Sequence, residues 1–167
     1  MIGKNYGMKP VNKKPLYIFD IDGTITLSEH RAVFLEDTED PERWNKFYDA
    51  CDQDPPNQPV IDIMEALKRD GAEIIFFSGR SDRVRDKTVA WIADHTTFEE
   101  HELTEAVLTM RQHGDFTPDD YLKEDWLKAM YPEDRDRLVA AFDDRDRIVH
   151  MWRKNNVACC QVAFGGF

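Results

Sequence analysis

Three short runs of bulky apolar residues each stop abruptly at a polar cluster. Leu16-Tyr17-Ile18-Phe19 runs into Asp20-Ile21-Asp22-Gly23-Thr24, Ile74-Ile75-Phe76-Phe77 into Ser78-Gly79-Arg80, and Val139-Ala140-Ala141-Phe142 into Asp143-Asp144. Runs this short, without polar alternation, read as strands buried on both faces. Ala106 to Met110 and Ala158 to Ala163 read as two more strands. Between them lie helical patterns. Val60, Ile63, Met64 and Leu67 repeat at helical spacing, with Pro59 near the start and Gly71 past the end. Ser81 or Asp82 can cap a helix through about Ala93 with Val84, Thr88 and Trp91 inward. Asp119 to Met130 carries Tyr121, Leu122, Trp126 and Leu127, and Ile148, Val149 and Trp152 mark one more helix. Strands alternating with helices predict an α/β fold: a parallel five-stranded sheet with helices on both faces.

Residues 28–58 break this rhythm. They are polar and acidic and end in Pro55-Pro56-Asn57. Within them Pro41 to Ala50 reads as a short helix with Trp44, Phe47 and Tyr48 on one face, so the segment is expected to be a small helical cap. Residues 1–14 hold Lys4, Lys9, Lys13 and Lys14 and no acid, which suggests a flexible basic tail before a single domain over 15–167. The body is therefore more acidic than the net charge of −11 conveys, which argues against broad duplex binding through many phosphate contacts. No apolar run reaches the length of a membrane span. Cys51, Cys159 and Cys160 are odd in number, with no metal-binding spacing. They read as reduced, buried thiols of a cytoplasmic protein.

In open parallel sheets ligands bind beyond the carboxyl ends of the strands, where the polar clusters sit. Asp20 and Asp22 can divide labour as nucleophile and general acid/base, with Gly23 permitting the turn between them. A strand followed by an ordinary polar turn produces the same short pattern. Ser78, Gly79 and Arg80 offer a hydroxyl, backbone N–H groups and a guanidinium to a phosphate, or else a plain turn with an exposed arginine. Asp143 and Asp144 repel each other unless a cation such as Mg²⁺, or Arg145 or Arg147, pairs with them. Lys123 can hold the nucleophile and neutralise phosphate, and Asp119, one turn earlier, can pair with it; a solvated lysine is the simpler alternative.

Asp20-Ile21-Asp22-Gly23-Thr24, Ser78, Lys123 and Asp143-Asp144 resemble, in order, the four motifs of the haloacid dehalogenase (HAD) superfamily of phosphatases. The resemblance implies a Rossmann-like core, Asp20 as nucleophile, Asp22 as acid/base, and Ser78 and Lys123 on the phosphoryl group. It implies Mg²⁺ on the Asp20 carboxylate, the Asp22 backbone carbonyl and the last motif, with Asp144 direct and Asp143 through water. A narrower resemblance rests on Ser78-Gly79-Arg80, Met110-Arg111-Gln112, Asp119 to Glu124, Phe142-Asp143-Asp144-Arg145 with Met151-Trp152-Arg153, and Gln161-Val162-Ala163-Phe164-Gly165. These look like the phosphatase domain of phage polynucleotide kinase/phosphatase. That resemblance adds Arg31 and Asp119 to the substrate side of the site, beside Thr24, Gly79 and Arg80. It implies removal of 3′-phosphates from nucleic-acid ends in repair. The chain has no Gly-Lys-Ser or Gly-Lys-Thr, so 5′-kinase activity is expected to be absent from it. The alternatives are a HAD phosphatase on a small substrate such as a nucleoside monophosphate, and a non-catalytic domain of the same fold. The sequence leaves oligomeric state open.

Overall fold

A computed structural model describes residues 13–165. Of the expected basic tail, residues 1–12 lie outside the described residues, and Lys13 and Lys14 are exposed. Five strands form one parallel sheet: β1 (Leu16–Phe19), β2 (Glu73–Ser81), β3 (Leu108–Arg111), β4 (Leu138–Asp143) and β5 (Ala158–Gln161), in the order β3-β2-β1-β4-β5. The helices are α1 (Arg43–Asp49), α2 (Gln58–Arg69), α3 (Arg85–His95), α4 (Asp119–Ala129), α5 (Pro132–Arg137) and α6 (Asp146–Lys154). None of the described helices is long and apolar enough to cross a membrane.

Neighbouring residues along each strand explain the two-layered core. Phe19, Phe76 and Phe142 face one side, packed with Val60, Ile61 and Met64 of α2 and Trp91 and Ile92 of α3. Ile18, Phe77 and Ala141 face the other, packed with Leu127 of α4 and Ile148, Met151 and Trp152 of α6. Period-two alternation with a core on each face is why the strands read as unbroken apolar runs. In register across the sheet, Phe19 pairs with both Phe76 and Phe142, and its ring stacks on Phe142 at 4.3 Å.

Some expectations need correction. α2 buries Val60, Ile61 and Met64, while Ile63 is 47% exposed: the inward stripe lies one residue round from the assumed one. Tyr121 is also exposed, because α4 turns Leu122, Lys123 and Leu127 inward. α5, begun by Pro132, is too short and too charged to show helical periodicity in the sequence. Cys51 is buried, but Cys159 is half-buried and Cys160 exposed. They lie on β5, an edge strand, where the sheet shields less.

β2 runs on to Ser81, past its apolar run. Its pairing with β3 slips after Ser78, which faces Met110, so that Ser81 faces Arg111. Gly79 and Arg80 fall in that irregularity, which re-aims the side chains at the strand's end.

Candidate active site

The chain leaves β1 at Asp20, whose N–H still donates to the Phe142 carbonyl at 3.0 Å. It then turns tightly, with the N–H groups of Thr24, Ile25 and Thr26 all directed at the Ile21 carbonyl. Gly23 has φ +78°, and a Cβ there would lie 2.2 Å from Asp144 Oδ2. Only glycine supplies both the left-handed turn and the close approach of the β1 and β4 ends.

Lys123 comes up from α4 and is 3% exposed. Its ammonium donates to Asp20 Oδ1 at 2.7 Å and to Asp143 Oδ2 at 2.8 Å. Asp144 completes the group: Asp20, Asp143 and Asp144 offer carboxylate oxygens within 4.8 Å of one another. Three buried carboxylates against one ammonium leave unbalanced negative charge. Burial, together with Asp143 and Asp144 and against the pull of Lys123, raises the Asp20 carboxyl well above its usual range. Burial and Asp143 push Asp144 up to about 6. Burial works against the Lys123 ammonium, but Asp143 and Asp20 outweigh it and raise its pKa.

This set fits a hard divalent cation. Asp143 is already occupied: Oδ1 accepts the Asp144 N–H at 3.1 Å, and Oδ2 accepts from Lys123 and, at 3.4 Å, from Trp152 Nε1. Asp144 Oδ1, by contrast, is buried and has no hydrogen-bond partner. A buried carboxylate oxygen facing two other acids with no donor suits a metal ligand.

Asp22 points elsewhere, into a second electrostatic cluster. Its Oδ1 accepts from Arg31 Nη2 at 2.5 Å and from Arg80 Nε at 2.8 Å. Asp54 accepts from the same two guanidinium groups, from Arg31 Nε at 2.7 Å and Arg80 Nη2 at 2.6 Å. Both arginines are 0% exposed. Burial works to raise the Asp22 carboxyl, but Arg80 and Arg31 outweigh it and hold it below its ordinary value. Burial raises the Asp54 carboxyl against the same two arginines. The Asp54 carbonyl is fixed by Trp91 Nε1 at 2.8 Å.

Arg80 was expected on the phosphate; in the structure its guanidinium, set in the β2 irregularity, turns inward to Asp22, Asp54 and Thr88. Arg31 does reach the site, from the insertion, with Phe47 beneath it at 4.3 Å. Asp119 pairs with Arg111 and with Arg145 (2.5 Å) rather than with Lys123, because Lys123 faces the sheet. Asp119 Oδ1 also lies 3.0 Å from where a Gly79 Cβ would be, so Gly79 leaves room for it. The Gly79 carbonyl accepts from Arg111 Nε at 2.9 Å and Tyr48 hydroxyl at 3.3 Å. Ser78 is buried, with its Oγ accepting the Arg80 N–H at 3.2 Å. Thr24 is buried, and its Oγ1 has no partner.

Sequence reasoning passed over Asp54, and gave no role to Arg111. Asp54 stands in an acid-rich segment beside Asp49 and Asp52. The one available signal is Pro55, which holds the preceding residue extended, and Asp54 has φ −65° and ψ 128°.

An aspartate at the end of the central strand, tied by lysine to an acid on the next strand and grouped with an unpartnered carboxylate oxygen, can attack an electrophile whose own negative charge must be neutralised. With an acid two residues on, held apart by two buried arginines, this defines the class: a phosphatase of the HAD fold. The particular family follows from sequence: a family model of the polynucleotide kinase PNKP phosphatase domain matches residues 14–167, and the chain belongs to that family. It is 27% identical over 138 residues to a protein of Autographa californica nuclear polyhedrosis virus described as a bifunctional polynucleotide kinase/RNA ligase. That match covers 80% of this chain and 17% of the viral protein. A chain in the structure of the Pnkp1/Rnl/Hen1 RNA repair complex superposes with TM-score 0.71 at 29% identity, over 92% of this chain and 44% of that one. The chain thus spans less than half the length of these relatives. A class C acid phosphatase from Bacillus anthracis, with tungstate bound, shares the fold: TM-score 0.58 at 17% identity, over 83% of this chain and 55% of that one.

Proposed function

We propose that this chain is a Mg²⁺-dependent phosphomonoesterase that removes 3′-phosphates from polynucleotide ends through an aspartyl-phosphate on Asp20. The observation that carries the reading is the pairing of Lys123 with Asp20 beside the unpartnered Asp144 oxygen. Asp20 attacks phosphorus, forming an Oδ–P bond as the bond from phosphorus to the 3′ oxygen breaks. Asp22 gives its proton to that leaving oxygen. It then takes a proton from the water that attacks the phosphoenzyme, so inorganic phosphate leaves and Asp20 is regenerated. Asp20, Asp144 and the Asp22 carbonyl would hold Mg²⁺, with Asp143 through water, and the ion would neutralise charge on the phosphoryl oxygens. Ser78 and Lys123 bind the phosphoryl group. Arg31 and Arg80, braced by Asp54, orient Asp22.

Asp22 is held ionised by its arginines, yet the first step needs its proton. The incoming phosphate supplies the correction, since a nearby like charge raises a carboxyl pKa.

The family assignment favours a polynucleotide end as substrate. The test is hydrolysis, with Mg²⁺ and with chelator, of a 3′-phosphorylated single-stranded oligonucleotide against free 3′- and 5′-nucleotides. Release of phosphate from the oligonucleotide, lost with chelator and in Asp20→Asn, is expected. Turnover of free nucleotides alone would remove the polynucleotide reading. Substantial turnover by Asp20→Asn would remove the nucleophile.

A further inference from the structure

Two phenylalanines stand out at the carboxyl edge of the sheet. Phe116, in the loop between β3 and α4, is 86% exposed, and Phe164, just past β5, is fully exposed. A ring gains much by burial, so exposed rings on backbone anchored to a catalytic site are candidates for contact with its substrate.

Both are carried on backbone fixed to the site. Arg111 Nη1 donates to the carbonyls on either side of Phe116, those of Asp115 at 3.0 Å and Thr117 at 2.6 Å. The Thr117 N–H closes the loop on Asp115 Oδ1 at 2.8 Å. The same guanidinium reaches the Gly79 carbonyl and the Asp119 carboxylate. Behind Phe164, the Gly165 carbonyl accepts the Asp146 N–H at 2.9 Å. Gly165 sits so close to the last motif that a Cβ there would lie 2.0 Å from the Asp144 carbonyl. Arg145, from that motif, meets Asp119 on the other side. One ring is therefore tethered on the Gly79 side of Asp119 and the other on the Asp144 side.

The ground around the rings is polar and charged rather than apolar, with arginines set among acids. Arg111, Arg145 and, at 3.9 Å, Arg147 converge on the single Asp119 carboxylate. Asp115, Thr117 and His113 complete the Phe116 loop. Protein interfaces surround their aromatic anchors with further apolar surface, whereas isolated rings among arginines are the composition of single-stranded nucleic-acid sites. The three arginines stand among Asp115, Asp119, Asp120, Asp144 and Asp146, so the rings rather than net charge would supply the grip on a strand.

We propose that Phe116 and Phe164 are stacking surfaces for the bases of the single strand that leads into the active site, just 5′ of the terminal phosphate. This rests on the polynucleotide reading above and adds the residues that select a strand over a free nucleotide. Stacking accepts any base, so the preference is for length and single-strandedness, not sequence.

The test uses the full chain with Mg²⁺. The readout is kcat/KM on a 3′-phosphorylated single-stranded decamer divided by kcat/KM on p-nitrophenyl phosphate. Phe116→Ala and Phe164→Ala should each lower that ratio about tenfold, and the double variant about a hundredfold, through KM on the decamer. Tryptophan at either position should restore it, and leucine should not. Fluorescence anisotropy of a labelled decamer with a 3′-hydroxyl gives the same comparison without chemistry. The parent should bind it, and the double variant should bind about a hundredfold more weakly. A ratio within about twofold of the parent, equal rescue by leucine, or no binding of the 3′-hydroxyl strand by the parent would each overturn the inference. A parent that binds the strand through the rings but leaves a 3′-phosphate untouched would overturn the polynucleotide phosphatase reading instead.

Discussion

Replacing Lys123 by methionine removes the buried ammonium bonded to two of the three clustered acids while keeping a side chain of similar length. Lys123 makes two charged hydrogen bonds, to Asp20 and Asp143. Breaking a buried pair by deleting one partner costs about 3–5 kcal/mol, chiefly because the remaining charge is stranded. The stranded carboxylate has an escape: it can take up a proton. For an acid of ordinary pKa that costs about 4 kcal/mol at pH 7 and about 1.5 kcal/mol at pH 5. The deficit relative to the parent should therefore be about 3–4 kcal/mol near pH 8 and about 1–2 kcal/mol at pH 5. The sign follows from the direction of the shift. The Asp20 carboxyl is already raised by burial, and loss of the lysine raises it further. An acid whose folded pKa lies above its unfolded one destabilises progressively as pH climbs from the unfolded value through the folded one, and levels off above it. Urea unfolding of parent and variant at both pH values measures this. Mg²⁺ should narrow the gap at pH 8, because a cation between Asp20, Asp143 and Asp144 takes over the missing charge. A deficit that is equal at the two pH values and indifferent to Mg²⁺ would refute the electrostatic reasoning.

Two further substitutions probe the frame. In Gly23→Ala the new methyl would stand 2.2 Å from Asp144 Oδ2 at a backbone φ of +78°, so Asp144 must move. Calorimetric titration with Mg²⁺ should show affinity reduced at least tenfold, and parental affinity would mean that Asp144 is not a ligand. In Asp54→Asn two fully buried guanidinium groups lose a shared carboxylate, which should cost about 3–5 kcal/mol in denaturant unfolding. The same variant should lower kcat more than it raises KM, since its effect passes through Asp22 rather than through substrate contacts. A pure KM effect would place the arginines on the phosphate.

The fold was legible because its strands are buried on both faces, so apolar runs could not be mistaken for surface. The acids were legible because each follows such a run directly, and strand ends in a parallel sheet converge. What was hidden depends on direction. Nothing in Ser78-Gly79-Arg80 announces that the β2–β3 register slips there and turns Arg80 inward. Asp54 was hidden for a different reason. It belongs to a polar insertion with no periodicity, and it acts only through two arginines separated from it by 23 and 26 residues. Ile63 shows the limit of spacing itself: Ile61 and Ile63 both fit a helical stripe through Val60 and Met64, and only the packed sheet decides between them.

Asp20 and Asp22 are two residues apart, yet the turn at Gly23 gives them opposite environments. Burial and acidic neighbours raise the first, while two arginines lower the second. Pairs of acids driven apart in this way mark a division of roles. Here, however, each is biased against the role proposed for it. A nucleophile must be ionised, and Asp20 is pushed toward its protonated form; an acid must carry a proton, and Asp22 is held without one. Ligands reverse both biases. A divalent cation beside Asp20 favours its carboxylate, and the phosphate dianion beside Asp22 favours its protonation. On the proposed mechanism the site would become competent only with cation and phosphate present together.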